Sequence, residues 1–261
     1  MSIVGARRIV VKVGTSTLTY ENGKPNFRAF ESLARVLSDL KNSGKEIILV
    51  SSGAISVGLS SMGLQERPKE VRFKQAASAV GQCELMFTYD KVFSEYSQAV
   101  AQILLTRDTI KNPERTENVR NTFSALLELG VIPIVNENDS VAVEEIVFGD
   151  NDSLSAIVAI LAGADALLIL TDIDGLYDSD PSCNPDAKRI PRVDQITGEL
   201  MSAAGGAGSS RGTGGMHTKL EAAKLSTEAG IDTVVMSGKD MHALYDVLDG
   251  KPVGTLFTAR R

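Results

Sequence analysis

Short runs of hydrophobic residues recur along the whole chain, and the segments between them carry apolar residues at a helical period. The runs are nearly continuous rather than alternating, which is typical of parallel strands buried on both faces of a sheet. Six of them are predicted strands, at residues 9–13, 47–50, 100–105, 131–135, 167–170 and 233–236. Strands of this kind need helices on both faces of their sheet, so the segments between them are expected to be helical.

Three intervening segments have the period and the stop signal of a helix, at residues 27–42, 151–162 and 219–229. A glycine follows each of them closely, as it does at many helix ends: Gly44, Gly163 and Gly230. The alternation predicts an α/β domain with a mostly parallel sheet and right-handed crossovers. No linker, repeat or low-complexity tract divides the chain, so residues 1–261 are predicted to form a single domain. Residues 178–192 are predicted to form a surface excursion, and the glycine-rich residues 205–215 are predicted to form a loop.

The composition excludes several classes of protein. Of the 261 residues 43% are hydrophobic and 23% are charged, which is ordinary for a globular protein. A net charge of −6 argues against a general nucleic-acid or anionic-membrane surface. The chain has no tryptophan and two histidines, so neither an aromatic nucleic-acid reader nor a histidine-built metal site is expected.

The same sequence indicates a cytoplasmic location. No run of about 18 uncharged apolar residues is present, so no membrane-spanning helix is expected. The residues before the first strand are too few for a secretory signal. Cys83 and Cys183 form no C-x-x-C motif and are predicted to be reduced thiols.

Candidate chemistry collects where predicted strands end, which is where open α/β sheets bind ligands. Lys12 closes an otherwise apolar strand and is costly to bury unless it meets an anion, although a lysine reaching out from an edge is the alternative. Gly14-Thr15-Ser16 follows it and offers amide and hydroxyl donors. Ser51-Ser52-Gly53-Ala54 follows the second strand and reads as a helix start that binds an anion or, more simply, as an ordinary serine cap.

Two acidic clusters lie at the same predicted edge, Asn136-Glu137-Asn138-Asp139 and Gly149-Asp150-Asn151-Asp152-Ser153. Each residue by itself is an acceptable helix cap or turn residue. Together the carboxylates would repel one another unless a cation, a lysine or a donor-rich substrate lies between them. The clusters therefore indicate a binding site.

The segment Gly212 to Lys219 is a flexible glycine loop that runs into a helix start with a lysine, which in physical terms is a phosphate cradle. A generic glycine loop is the alternative. The segment matches neither the Walker A motif nor G-x-G-x-x-G, and the chain lacks the H-R-D element of protein kinases. His217 is interpreted as a bystander in this loop rather than as a catalyst.

Taken in order, these stretches form a specific set: V-V-K-V-G-T-S, S-S-G-A-I-S-V-G, N-E-N-D, F-G-D-N-D-S-L-S-A, L-T-D-I-D-G-L-Y, G-T-G-G-M-H-T-K and G-T-L-F. From Ile9 to about Phe257 the sequence resembles the glutamate 5-kinases of the amino-acid kinase superfamily. N-E-N-D together with G-D-N-D points to glutamate rather than to aspartate, acetylglutamate or UMP.

The resemblance implies a three-layer α/β/α sandwich that phosphorylates the γ-carboxylate of L-glutamate with ATP, the first step of proline biosynthesis. It implies that the N-terminal part binds mainly glutamate and the C-terminal part mainly ATP. The catalytic residues it implies are Lys12, Lys219 and Asp152. The glutamate-binding residues are Ser52, Asp139 and Asn151. The ATP-binding residues are Lys12, Thr171, Asp172, Thr213, Gly214, Gly215, Met216, His217, Thr218 and Lys219.

The resemblance also carries expectations about cofactors and partners. Mg²⁺ is expected on the ATP phosphates and water rather than in a protein cage. Proline is expected as a feedback inhibitor, a homodimer or homotetramer as the assembly, and a glutamyl-phosphate reductase as the next enzyme. Because the chain stops at Arg261, it resembles the short form of the family, which lacks a C-terminal PUA domain.

Three other functions compete with this interpretation. One is a kinase of the same fold with a different carboxylate or phosphate acceptor. Another is a non-catalytic nucleotide or amino-acid sensor, which would not need Lys12, Asp152 and Lys219 together. The third is a nicotinamide-dependent oxidoreductase, which the absence of a glycine fingerprint after the first strand disfavours.

Overall fold

The structure is a computed structural model that describes residues 3–64, 66, 68–141, 151–181, 183–203 and 215–260. The strands are β1 (Arg8–Val13), β2 (Glu46–Val50), β3 (Val100–Leu105), β4 (Ile132–Glu137), β5 (Ala166–Thr171), β6 (Arg192–Val193), β7 (Asp232–Ser237) and β8 (Thr255–Phe257). Within the described residues these eight strands form one sheet in the order β3-β4-β2-β1-β5-β7-β8-β6. All neighbours pair in parallel except β7 and β8, which are antiparallel.

Helices cover the sheet on both faces. They are α1 (Thr15–Leu18), α2 (Phe27–Asn42), α3 (Ala54–Ser61), α4 (Val71–Ser94), α5 (Arg107–Lys111), α6 (Pro113–Glu128), α7 (Asn151–Ala162), α8 (Gly198–Ala203), α9 (Met216–Glu228) and α10 (Ala243–Leu248). One buried apolar cluster lies between the sheet and the layer that includes α2, α4 and α10. A second lies between the sheet and the layer of α6, α7 and α9. The fold is therefore a three-layer α/β/α sandwich, as the sequence predicts. No helix in the described part of the chain is both long and apolar enough to cross a membrane.

The central strand β1 places its lysine by simple alternation. Successive side chains of a strand point to opposite faces of the sheet. Val11 and Val13 belong to the core under α2 and α4, whereas Val10 belongs to the core under α7 and α9. Lys12, two residues after Val10, therefore points toward α7 and α9.

Helices α3 and α4 cross at two glycines with their backbones in contact. A Cβ atom added to Gly58 would lie 1.8 Å from the carbonyl oxygen of Ala77, and one added to Gly81 would lie 1.8 Å from that of Ala54. Real Cβ atoms do not approach other atoms so closely, so only glycine permits this crossing at both positions. The crossing fixes α4 against the start of α3, directly after the carboxyl end of β2.

All six predicted strands are present. Strand β3 has the predicted bounds, and the other five differ from the predicted bounds by one or two residues. Strand β4 runs to Glu137, so Asn136 and Glu137 are its last residues rather than the first residues of the following loop. Helices α2 and α7 have the predicted bounds, but α9 begins at Met216, three residues before the predicted start. The carboxyl-terminal prediction for α9 extends one residue too far, since the helix ends at Glu228.

Candidate active site

Two lysines and one aspartate form a buried cluster at the carboxyl edge of the sheet. The Nζ atom of Lys219 lies 3.0 Å from Oδ2 of Asp152, and Lys12 pairs through its Nζ atom with Oδ1 of the same carboxylate. Side-chain exposure is 7% for Lys12, 5% for Lys219 and 0% for Asp152. The hydroxyl of Thr218 also donates to Oδ2 of Asp152, at 3.1 Å. The structure thus brings together the three residues that were predicted to be catalytic.

The electrostatics of the cluster keep the aspartate ionised. Burial by itself would raise the pKa of Asp152, but the charges of Lys12 and Lys219 and their hydrogen bonds hold that pKa well below its ordinary range. Two ammonium groups facing one carboxylate leave a local excess of one positive charge. In a buried setting such an excess attracts an anionic ligand strongly.

Helix geometry explains part of this pairing. Asp152 is the second residue of α7, where the positive end of the helix dipole favours a carboxylate. Lys219 is the fourth residue of α9, where the same dipole disfavours a cation. The carboxylate of Asp152 compensates the misplaced charge of Lys219. The position of Lys219 near a helix start is therefore explained by its place in an anion-binding site.

Two glycines keep the backbone open beside the lysines. A Cβ atom on Gly14, which follows β1, would lie 3.9 Å from the Nζ atom of Lys12. Gly53, which follows β2, has φ of +94°. A Cβ atom added to it would lie 3.4 Å from Cγ2 of Thr15. Gly53 is the cap residue of α3 and no side chain caps this helix, so the predicted serine cap is wrong. The backbones after β1 and β2 thus lie side by side at the sheet edge.

A second set of contacts is made by Asn151, one of the predicted glutamate-binding residues. Asn151 donates from Nδ2 to Oδ1 of Asn136 at 2.9 Å and to the carbonyl oxygen of Ser51. These bonds connect the start of α7 to the ends of β4 and β2. Ser52, next to Ser51, is buried. Asn151 precedes Asp152, so this network adjoins the lysine–aspartate cluster.

Helix α4 supports this edge from the other side. The hydroxyl of Ser78 donates to Oδ2 of Asp139 at 3.1 Å, and Nε2 of Gln82 donates to the carbonyl oxygen of Glu137 at 3.3 Å. The hydroxyls of Tyr89 and Ser51 are 2.8 Å apart. Burial raises the pKa of Tyr89, so its hydroxyl stays protonated.

The structure describes only some of the residues predicted to bind ATP. Thr171 ends β5, is buried, and donates to Oδ1 of Asp172 at 2.9 Å. Helix α9 begins directly after Gly215, with Met216 and His217 in its first turn. The His217 side chain contacts the carboxylate of Glu221 at 3.4 Å and the carbonyl oxygen of Met201 at 3.4 Å. Thr213 and Gly214 lie outside the described residues.

Sequence analysis missed the supporting contacts from α4. Neither Ser78 nor Gln82 was singled out, and α4 itself was not predicted. Its buried positions recur every three or four residues, including Ala77, Gly81 and Leu85. Small and polar residues occupy several of these positions, so the sequence of this segment has no clear hydrophobic period that would predict the helix. Nothing in the local sequence indicates that Ser78 meets Asp139, which lies 61 positions away.

Comparisons with known proteins identify relatives over nearly the whole chain. A model of the amino acid kinase family matches residues 7–237. The chain is 56% identical to a glutamate 5-kinase from Clostridium perfringens, covering 98% of this chain and 97% of the relative. It is 53% identical to a glutamate 5-kinase from Listeria innocua, covering 100% and 96%.

Solved structures share the fold at low identity. A UMP kinase from Bacillus anthracis superposes with a TM-score of 0.67 at 16% identity, covering 98% of this chain and 97% of that one. An isopentenyl phosphate kinase superposes with a TM-score of 0.66 at 16% identity, covering 96% and 100%. These two likenesses support the three-layer sandwich.

Proposed function

The chain belongs to the amino acid kinase family and, within it, to the glutamate 5-kinases, and we propose that its phosphoryl transfer takes place at the Lys12–Asp152–Lys219 cluster. The enzyme uses ATP to phosphorylate the γ-carboxylate of L-glutamate, giving L-glutamyl 5-phosphate for proline biosynthesis. The observation that carries the location is the pair of buried lysines held on one buried carboxylate.

The reaction fits a site without a general base. A glutamate side chain with a pKa of about 4.3 is already ionised at neutral pH, so its oxygen attacks the γ-phosphorus directly. A new carboxylate–phosphorus bond forms, the bond from that phosphorus to the β–γ bridging oxygen breaks, and ADP leaves. Charge spreads over the transferring oxygens, so positive groups beside them stabilise the transition state. Lys12 and Lys219 supply that charge, and Asp152 positions both of them.

The glutamate substrate is proposed to bind at the ends of β2 and β4 and the start of α7, held by Ser52, Asp139 and Asn151. The Asp139 carboxylate suits the substrate ammonium group, and the Ser52 hydroxyl suits a substrate carboxylate. Both amide hydrogens of Asn151 are already donated within the protein, so its Oδ1 atom suits the substrate ammonium group. The network from Asn151 to Ser51 and Asn136 supports this assignment because it adjoins Asp152.

ATP is proposed to bind on the other side of the cluster, against Thr171, Asp172 and the residues from Thr213 to Lys219. The amides that open α9 suit phosphate oxygens. The N-terminal part of the chain would then hold mainly glutamate and the C-terminal part mainly ATP.

Mg²⁺ fits this site as a companion of the ATP phosphates. The carboxylate of Asp152 is occupied by two ammonium groups, and in the described ranges no three histidine, cysteine or acidic side chains are grouped to hold a metal. Phosphate oxygens and water would therefore hold the ion. When bound, it neutralises phosphate charge and reduces repulsion of the incoming glutamate.

Regulation and partners form the finer part of the proposal. Free L-proline would compete with glutamate, since both are α-amino acids and the site at Asp139 suits either ammonium group. Activity measured at several proline concentrations should then show a rising KM for glutamate at constant kcat. A rate unchanged by millimolar proline contradicts this regulation.

The assembly is proposed to be a homodimer or homotetramer, which light scattering on the purified chain would reveal. The acyl phosphate product is unstable in water, so a glutamyl-phosphate reductase in the same cytoplasmic compartment is the expected consumer.

The decisive experiment traps the product. The purified chain is incubated with ATP, Mg²⁺ and hydroxylamine, with glutamate, aspartate or acetylglutamate as acceptor, and hydroxamate is measured. Hydroxamate from glutamate alone is expected, and the Lys219→Ala variant should give almost none. Hydroxamate from another acceptor, or none from glutamate, contradicts the proposed function and favours a sister kinase of the same fold.

A further inference from the structure

Helix α4 contacts the residues after β2 and the end of β4, two of the three segments proposed to hold glutamate. Tyr89 meets Ser51 after β2, Gly81 meets the start of α3 at Ala54, and Ser78 and Gln82 meet the end of β4. These contacts lie on one side of the helix, since Gln82 follows Ser78 by four residues, Tyr89 follows Gln82 by seven, and Gly81 follows Ser78 by three.

From this arrangement we infer that Ser78 and Gln82 are positioning residues that set the affinity for glutamate by fixing the segment from Glu137 to Asp139. The inference rests on the proposed function, because it takes Asp139 to be a ligand of the glutamate substrate. Neither residue is assigned contact with substrate.

The geometry of the two bonds supports the assignment. Ser78 is fully buried, and its donated bond of 3.1 Å selects one orientation of the Asp139 carboxylate. The Gln82 bond of 3.3 Å holds the backbone carbonyl two residues earlier. One contact therefore fixes the side chain and the other the main chain of the same short segment.

The glycine crossing makes α4 a rigid base for these bonds. Gly81 lies three residues after Ser78 and directly before Gln82, at the point where the α3 and α4 backbones touch. A shift of α4 toward α3 at this point would drive Gly81 into the Ala54 carbonyl. The donors of Ser78 and Gln82 are thus held at a fixed distance from the residues that follow β2.

The effect should fall on glutamate binding rather than on the chemical step. The lysine–aspartate cluster is carried by β1, α7 and α9, whereas Ser78 and Gln82 act on the end of β4. A loosened substrate ligand weakens ground state and transition state alike, which raises KM and leaves kcat unchanged. Loss of one such bond is expected to raise KM about fivefold.

The test compares Ser78→Ala, Gln82→Met and the double variant with the wild type, using the hydroxamate assay. The expected result is a KM for glutamate raised about fivefold in each single variant and more than tenfold in the double variant. The kcat and the KM for ATP should stay within about twofold of the wild type.

Two control variants remove similar side chains elsewhere. Ser38→Ala deletes a buried hydroxyl that, among the described residues, has no hydrogen-bond partner. Gln98→Met deletes a buried amide that donates to Asn42 Oδ1 at 3.0 Å and to the Tyr96 carbonyl at 3.3 Å. Both should leave the KM for glutamate unchanged, even where Gln98→Met lowers the melting temperature.

The inference is overturned if the folded double variant keeps the wild-type KM for glutamate. It is also overturned if kcat and both KM values change in proportion to lost stability in the two single variants and in the two controls. That pattern would show that Ser78 and Gln82 have a purely structural role. If the double variant does not fold, Ser78→Cys and Gln82→Glu, which keep side-chain size, replace it with the same criteria. A wild type that makes no hydroxamate from glutamate instead refutes the proposed function.

Discussion

The Nζ atom of Lys219 lies 3.0 Å from Oδ2 of Asp152, although the two residues are 67 positions apart and both are buried. Lys219 depends on Asp152, because a buried ammonium group without a carboxylate partner would be strongly destabilising. The arrangement holds an ammonium group at a fixed point beside the carboxyl edge of the sheet. Activity and stability should both depend on this pairing.

Loss of either lysine should abolish most of the activity. Lys12→Ala and Lys219→Ala are each expected to lower kcat at least about a hundredfold, because each removes one preorganised positive group beside the transferring phosphoryl. Steady-state kinetics measure this. Lys251→Ala, which removes an exposed lysine paired with Asp246, serves as the control and should leave kcat unchanged. Near-normal turnover in either site variant would exclude that lysine from the mechanism.

Asp152→Asn should lower both stability and turnover. Without the carboxylate, two buried ammonium groups face each other, and the loss of unfolding free energy should be about 3–5 kcal/mol. Urea denaturation at pH 7 measures it. Asp246→Asn breaks an exposed ion pair and should leave the unfolding midpoint unchanged. Equal midpoints for Asp152→Asn and the wild type would refute the role of Asp152.

The depressed pKa of Asp152 predicts an acid-dependent stability. Its folded pKa lies below the unfolded value of about 3.9, so the stabilisation is complete above about pH 5 and is lost as the pH falls further. The stability difference between the wild type and Asp152→Asn should therefore shrink between about pH 5 and pH 3. Denaturation curves across that range measure the difference. A difference that grows on acidification contradicts the assigned direction.

Asp139→Ala should mainly weaken glutamate binding. Removing the carboxylate that we propose to pair with the substrate ammonium group should raise the KM for glutamate about tenfold or more, with little change in the KM for ATP. The hydroxamate assay gives both constants. Asp108→Ala removes an exposed carboxylate bonded to Arg115 and is the matched control. An unchanged KM for glutamate would place Asp139 outside the substrate site.

Gly58→Ala should destabilise the fold through the crossing of α3 and α4. The added Cβ would lie 1.8 Å from the Ala77 carbonyl, and separating the helices should cost about 3 kcal/mol. Chemical denaturation measures the loss. Gly198→Ala is the control, since an added Cβ there meets nothing within 4 Å. Equal stability of the two variants would show that the helices separate without cost.

The amino-acid sequence was sufficient to predict the residues whose chemistry conflicts with their surroundings. Lys12 interrupts an apolar strand. Asp152 lies in an acidic cluster that opens a helix, and Lys219 lies at the start of a helix that follows a glycine-rich segment. Each of the three therefore indicates a site through its residue type and its position in the hydrophobic pattern. The class of fold followed from the nearly continuous apolar runs.

The supporting contacts could not be predicted in the same way. Ser78 is an ordinary small residue on a helix, and its role depends on where α4 crosses α3. That crossing depends on Gly58 and Gly81 together, and the sequence around either glycine does not indicate which residue it contacts. The antiparallel pairing of β8 is likewise set by tertiary contacts, since three residues carry no signal for strand direction.

The distance along the chain between Lys12 and Lys219 has a consequence during protein synthesis. Lys12 emerges from the ribosome among the first residues, whereas α9 follows about 200 residues later. At translation rates of about 5–20 residues per second, the cluster of Lys12, Asp152 and Lys219 cannot form until about ten seconds or more after Lys12 has been synthesised. A growing chain cannot turn over ATP at this cluster during that interval. The order of synthesis therefore delays activity until nearly the whole domain has been made.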